Sequence, residues 1–411
     1  IRTLKSKKHT ERHQILSGLS HIKPSDIREN EYVKCMDYNK DEDMYLFSYG
    51  TGNKDLDNKV KECRGNVYNS NSELVMSCFN YVEEVTPPEF NEMLPTFDIS
   101  EYNCYHSREG TVIRVFYYNN KWRLSTHKRL DAYKSKWSSK ESFGELFEKD
   151  ILKTYHSIDD FFSTLNTDHV YAFLILSTPE NRIVCTNGNG EVYHVGTFMN
   201  GNIMESDINI RKFDKIIGGG GGEDKEKLTL DDILKIASDC DPYLSQGVIL
   251  FHKTDNYQIK IVNEKYQYLS SLRGNETSIK FRYLQIRLQQ ESVKDFVLLY
   301  PSYQKWFDLY EKLIEEAVSD IFNAFITRFV NNDYIMIPQK EYAVLKKCKE
   351  FVTNQEINYR LTIENVRYFF STLDYSSINK IIKDRHFNQN KKDYYKAPGR
   401  NFFFNMKPRD V

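Results

Sequence analysis

The sequence predicts an α+β protein, a mainly antiparallel domain followed by an all-helical C-terminal one. Three observations predict it. From residue 32 to about residue 275, short segments rich in Val, Ile, Tyr and Phe alternate with turn signals such as Tyr118-Asn119-Asn120-Lys121 and Asn187-Gly188-Asn189-Gly190, the pattern of strands and hairpins. Beyond residue 275 the period changes: Trp306, Leu309, Leu313, Ala317, Ile321, Ala324, Ile326 and Phe329 follow a helical spacing. The length of 411 residues suits two or three domains at roughly 100 to 200 residues each.

Taken in order, residues 1–30 read as a basic N-terminal arm, with Lys5-Ser6-Lys7-Lys8-His9 and Arg12, and Pro24 marks its end. Residues 31–275 are the strand-rich domain. Within it Ser142-Phe143-Gly144-Glu145 opens a helix and Ser157 caps a second, because a serine hydroxyl accepts from the free N–H groups of a first turn. The stretch from Leu228 through Thr229 to Ile236 is a third, capped and amphipathic. The glycines from Gly218 to Gly222 lack the Lys-Ser/Thr of a phosphate loop and are expected to be a flexible loop. Residues 276–386 are expected to be helical, in segments over 304–331, 340–351 and 362–384. Residues 387–411, rich in Asn, Lys and Tyr, are expected to form an extended tail.

Composition excludes several classes. Lys and Arg nearly balance Asp and Glu, for a net charge of −1, so any nucleic-acid binding must come from local patches. Candidates are the N-terminal arm, the stretch from Lys128 and Arg129 through Lys134 and Trp137 to Lys140, and Lys391-Lys392 with Arg400, the last two interleaved with Tyr133, Tyr394 and Tyr395. Basic residues beside aromatics suit phosphate contact with base stacking, whereas the bland alternative is a solvated face. Seven cysteines without a Cys-x-x-Cys pair argue against a disulfide framework or a zinc site and for a reducing, intracellular, cytoplasmic setting. No segment reads as a membrane span or a secretory leader. Gly-x-Ser-x-Gly and His-Glu-x-x-His are absent, His127, His194 and His252 read as satisfied strand-end histidines rather than ligands, and Asp231-Asp232 and Asp239 with Asp241 read as caps and turns rather than a metal pair.

Six short stretches carry a more specific signal: Glu62-Cys63-Arg64-Gly65, Phe79-Asn80-Tyr81, Ser107-Arg108-Glu109-Gly110-Thr111, Thr178-Pro179-Glu180-Asn181-Arg182-Ile183-Val184, Gln246-Gly247-Val248-Ile249 and Tyr257-Gln258-Ile259-Lys260-Ile261-Val262. In order and spacing they resemble the motifs of phage-type RNA ligases and mRNA-capping enzymes, and the resemblance extends to ligase-like proteins of large DNA viruses. It implies a nucleotidyltransferase domain over residues 31–275, with a nucleotide pocket at Arg64, Gly65, Ser107, Glu109, Gly110, Ile175, Gln246, Lys260 and Val262. It also implies an appended helical domain.

The same resemblance shows what is missing. Ser107 stands where the family's lysine takes the nucleotide as a phosphoramide. Ile175 and Gln246 stand in the places of two metal-handling acids, and Val262 replaces the second lysine of a Lys-x-Lys pair. A serine without a neighbouring base does not replace an amine of depressed pKa, and Mg²⁺ favours charged oxygens over an amide. The expectation is therefore a catalytically inactive ligase-like protein without a cofactor, binding RNA, DNA or a protein partner. The alternatives are a divergent ATP- and Mg-dependent ligase whose lysine has moved, with Lys128 the nearby candidate, and a structural component of a virion. If the resemblance holds, Arg64, Lys260 and Glu109 share one cleft.

Overall fold

The protein is described from a computed structural model, for residues 32–49, 60, 62–93, 97–206, 208–217, 228–254, 257–355 and 360–391, of which 93 and 388–391 by backbone alone. The N-terminal arm, the glycine run and residues 392–411 lie outside the described residues. The chain divides into two compact units, residues 1–271 and 272–411.

The first unit holds three sheets. One has the order β1 (Val33–Asn39), β2 (Met44–Tyr49), β3 (Arg64–Tyr68), β4 (Leu74–Met76), all antiparallel. A second orders β11 (Asn202–Met204), β10 (Val192–Met199), β9 (Val170–Leu176), β7 (Gly110–Tyr118) and β8 (Lys121–Ser125), again antiparallel. The third orders β5 (Val82–Val85), β13 (Gln258–Val262), β12 (Gly247–His252) and β6 (Tyr102–Ser107), with β5 and β13 parallel. The Asn119-Asn120 turn joins β7 to β8 with both residues at positive φ, as a hairpin matched to strand twist requires.

Period-two alternation decides which face each sheet buries. On the five-stranded sheet Ile113, Val115, Tyr171, Phe173, Ile175 and Val192 pack with Phe143, Leu146, Phe147 and Ile151 of helix α2 (Phe143–Ile151) and with Phe161 of α3 (Ile158–Ser163). On the third sheet Cys104, Val248, Leu250, Ile259 and Ile261 pack with Phe90 of α1 (Pro87–Met93) and with Ile233 and Ala237 of α4 (Leu230–Asp239). The serine cap at Ser142 closes into a capping box with Glu145, Ser157 caps α3, and Thr229 forms a second box with Asp232. The opposite faces of these two sheets are left for the cleft.

The second unit is helical. The periodic run over 304–331 is one helix, α8 (Gln304–Phe325), closed by a π-helical turn at Ile326–Val330. The helix α5 (Glu264–Arg273) belongs mostly to the first unit and carries the chain past its end at residue 271; within the second unit α6 (Ile279–Ile286) and α7 (Gln290–Leu299) precede α8, and α9 (Gln339–Thr353), α10 (Ile363–Ser371) and α11 (Tyr375–Lys391) follow it. The extended tail expected from residue 387 is corrected in part, because α11 runs on to Lys391. Apolar periodicity gives out after Ile382, but Arg385 holds the helix by ion pairs to Glu341 and Asp320, which an apolar pattern does not register.

Candidate ligand cleft

Residues of the second and third sheets line a cleft of about 960 Å³. Strand register sets its third-sheet wall. Glu84, Lys260, Ile249 and Tyr105 lie side by side across four strands, and Val82, Gln258, Phe251 and Asn103 form the next row. The opposite wall carries Gly110, Val112, Leu174 and Thr197. Arg64, at the start of β3, enters from one end and donates to the Asn80 carbonyl at 3.0 Å. The charge is lopsided: six lysines and arginines line the cleft against Glu84 and Glu205, with His106, His127, His194 and His252 besides.

The motif residues do not all meet there. Arg64, Ser107, Gly110, Gln246 and Lys260 line the cleft, and Lys260 pairs with Glu84 at 2.9 Å. Glu109 does not, which corrects the expectation that it shares the cleft with Arg64 and Lys260. Its carboxylate is buried and turned to the loop after β9, where it accepts from the backbone N–H groups of Ile183, Val184 and Cys185 at 2.5 to 3.0 Å. Those three donors sit in an irregular buried segment, and the carboxylate satisfies them. Val262 is buried opposite Gly247, outside the lining. Ile175 faces the α2 core, and its neighbour Leu174 is the β9 side chain in the cleft. Gly65 serves packing. It has φ +76°, and a β-carbon there meets the Arg114 guanidinium and lies 2.9 Å from His127 Cα.

Two of the positions at which the motif resemblance expects charged residues, Ser107 and Gln246, are joined to one another. Ser107 Oγ donates to Gln246 Oε1 at 3.0 Å, Gln246 Nε2 donates to the Tyr266 hydroxyl at 2.6 Å, and that hydroxyl donates to Glu109 Oε2 at 3.1 Å. Burial, then the adjacent Glu109, pushes the Tyr266 hydroxyl far up, so it stays protonated and donates. Every member is buried and partnered. Ile175, an isoleucine in the core, and Gln246, an amide already engaged at both ends, do not fit a divalent ion. Among the described residues no cluster of His, Cys, Asp and Glu could hold one. All seven cysteines are free thiols.

Beside the cleft, Arg114 is fully buried, and its guanidinium donates to the carbonyls of Gly65 and Thr126. Burial lowers its pKa to about 10 and, helped by Arg64 and Arg114, holds His127 well below the usual imidazole range. His127 lines the cleft with Nε2 unpartnered, against its reading as a satisfied histidine, whereas His194 is satisfied by Thr197 Oγ1 at 2.9 Å. The basic patch read from the sequence lies elsewhere: Lys128, Arg129, Lys134 and Trp137 are absent from the lining. Arg129 pairs with Asp37 at 3.7 Å, Lys134 with Asp131 at 3.0 Å, and Trp137 packs on the α2 core. Sequence reasoning missed Lys212, Phe213, Lys215 and Lys253, which do line the cleft. Their one visible signal was the spacing Lys212-Phe213-Asp214-Lys215, ahead of the glycine run.

No family model matches the chain. It is similar to a protein named immediate-early protein ICP-46 homolog from Invertebrate iridescent virus 3, with 31% identity over 288 residues, 68% of this chain and 61% of the relative. A second protein of that name, from Invertebrate iridescent virus 6, is 27% identical over 347 residues, 76% of this chain and 75% of the relative. The chain thus spans about 61% of the length of the first of these relatives. Among solved structures it is similar to a putative ATP-dependent DNA ligase from Aquifex aeolicus, with TM-score 0.38 and 12% identity, covering 80% of this chain and 87% of that one. An archaeal ATP-dependent RNA ligase gives TM-score 0.38 and 9% identity over 83% of this chain and 90% of that one.

Proposed function

We propose that this chain is a ligase-like protein that forms no nucleotidyl intermediate and uses its cleft to bind a phosphate-bearing ligand, a nucleic acid or a nucleotide. The observation that carries the reading is the hydrogen-bonded chain from Ser107 through Gln246 and Tyr266 to Glu109. It fills with mutually satisfied neutral groups the positions where the motif resemblance calls for an amine and an acid. Phosphoryl-transfer chemistry rests on positioned charge, and none is left there. The surplus of cations on the cleft walls supports binding. The name carried by the viral relatives, immediate-early protein, supports a role inside the infected cell early rather than in particle assembly.

Incubating the protein with ATP or GTP and Mg²⁺ or Mn²⁺, followed by intact mass spectrometry, tests this. The unmodified mass is expected, with a working RNA ligase showing its adduct in parallel. A nucleotidyl adduct, on Lys128 or any other lysine, overturns the proposal.

A further inference from the structure

We propose that the ligand of this cleft is single-stranded nucleic acid, held where residues 211–216 cross from one sheet to the other. The inference rests on the reading of the cleft as a phosphate-binding site and assigns its occupant.

The crossing segment is tied at both ends by backbone hydrogen bonds. His194 N–H on β10 donates to the Arg211 carbonyl at 2.8 Å, and Ile216 N–H donates to the Cys104 carbonyl on β6 at 2.8 Å, with Lys215 bridged to Tyr105. Arg211 is fixed further by Asp150, a buried carboxylate that also accepts from Val192 N–H. A strap fixed in this way presents its side chains on a rigid support. Lys212, Phe213 and Lys215 face the cleft, while Asp214 is absent from its lining.

Phe213 lies parallel to Tyr193, with ring centroids 4.1 Å apart and planes within 4°. Across the Lys215 bridge a second aromatic group follows, Tyr105 edge-on to Phe251 at 5.7 Å, and Lys253 lies beyond Phe251 on the same strand end. The order along the wall is ring, cation, ring, cation. A free nucleotide offers one base and one cluster of phosphates, whereas a strand offers bases and phosphates in alternation, which this wall matches. The volume, at the upper end of the roughly 300–1,000 Å³ usual for small-molecule pockets, leaves room for more than one nucleotide.

The test is fluorescence anisotropy of the full chain with a labelled single-stranded 12-mer of RNA and of DNA. ATP, duplex of the same sequence and polyglutamate serve as competitors. The wild type is expected to bind the strand, with ATP and polyglutamate competing weakly. Phe213→Ala is expected to weaken binding about five- to a hundredfold, the usual range for loss of one stacked base. Phe213→Trp, which keeps a ring, is expected to restore it, and the double variant Lys212→Glu with Lys215→Glu to abolish it. Lys128→Glu, outside the cleft, is expected to change little. Thermal melts of all variants separate lost binding from lost fold. Undiminished strand binding by folded Phe213→Ala and the double variant overturns the strap assignment. ATP binding without strand binding overturns the occupant while leaving the cleft reading intact, and equal competition by polyglutamate reduces the site to bulk charge and overturns it too. Failure to bind any of these ligands sinks both.

Discussion

At the scale of single residues, the most consequential side chain is Glu109, because four donors converge on one buried carboxylate. Replacing it by Ala takes the acceptor from the backbone N–H groups of Val184 and Cys185, each costing about 1–3 kcal/mol when buried without a partner, and leaves the Tyr266 hydroxyl with only its bond from Gln246. Glu109→Ala is therefore expected to destabilise by at least about 2 kcal/mol, read as a drop in the denaturant midpoint. Gly65→Ala meets two obstacles, a left-handed φ and the Arg114 guanidinium, and is expected to cost roughly 1–3 kcal/mol. His194 and His127, both lowered by burial, supply the pH dependence on the acid side. Burial, with Lys212 nearby, lowers His194 from 6.5 to about 4. Its folded pKa lies below its unfolded one, so the unfolded chain takes up the proton first as pH falls. The stability it contributes is complete above pH 6.5 and is lost towards pH 4, to the extent of roughly 3 kcal/mol. The melting temperature is expected to fall over that window, and to fall less in His194→Gln.

At the scale of elements, the caps are the most exposed to test. Ser142→Ala removes the hydroxyl half of the box that starts α2, leaving the backbone N–H of residue 142 on the Glu145 carboxylate, and is expected to cost about 1 kcal/mol by thermal unfolding, with the cleft unchanged. These helix starts were legible in the sequence because a cap is a local device, settled by residues three apart. So was the Asn119-Asn120 hairpin, for the same reason. The motifs brought Arg64, Ser107, Gln246 and Lys260 to one cleft, because strand order and register carry them there. What stayed hidden depends on direction or on distance in sequence. Whether Ile175 or Leu174 faces the cleft is a matter of one-residue register that an apolar run does not encode. That Glu109 turns to the loop at 183–185 depends on donors more than 70 residues away. The strap was illegible because its anchors are backbone groups on β6 and β10, which leave no mark on side-chain identity.

At the scale of the whole molecule, a net charge of −1 coexists with a cleft whose lysines and arginines outnumber its glutamates by four. Attraction of a polyanion is then short-ranged and local. Its affinity is expected to depend on salt with a log–log slope of about −2 to −3, as three or four neutralised phosphates give on a single strand. Titrations between 50 and 300 mM salt check this, since a slope near zero means that the cleft cations do not touch the ligand.

The chain of hydrogen bonds from Ser107 to Glu109 also sets what its members tolerate. A lysine at residue 107 places an ammonium where a nearly inaccessible hydroxyl now sits and severs its link to Gln246. An acid at residue 246 aims a carboxylate into a network already anchored on Glu109. Each change taken alone lowers stability, so the two positions are coupled and neither is free to vary without the other.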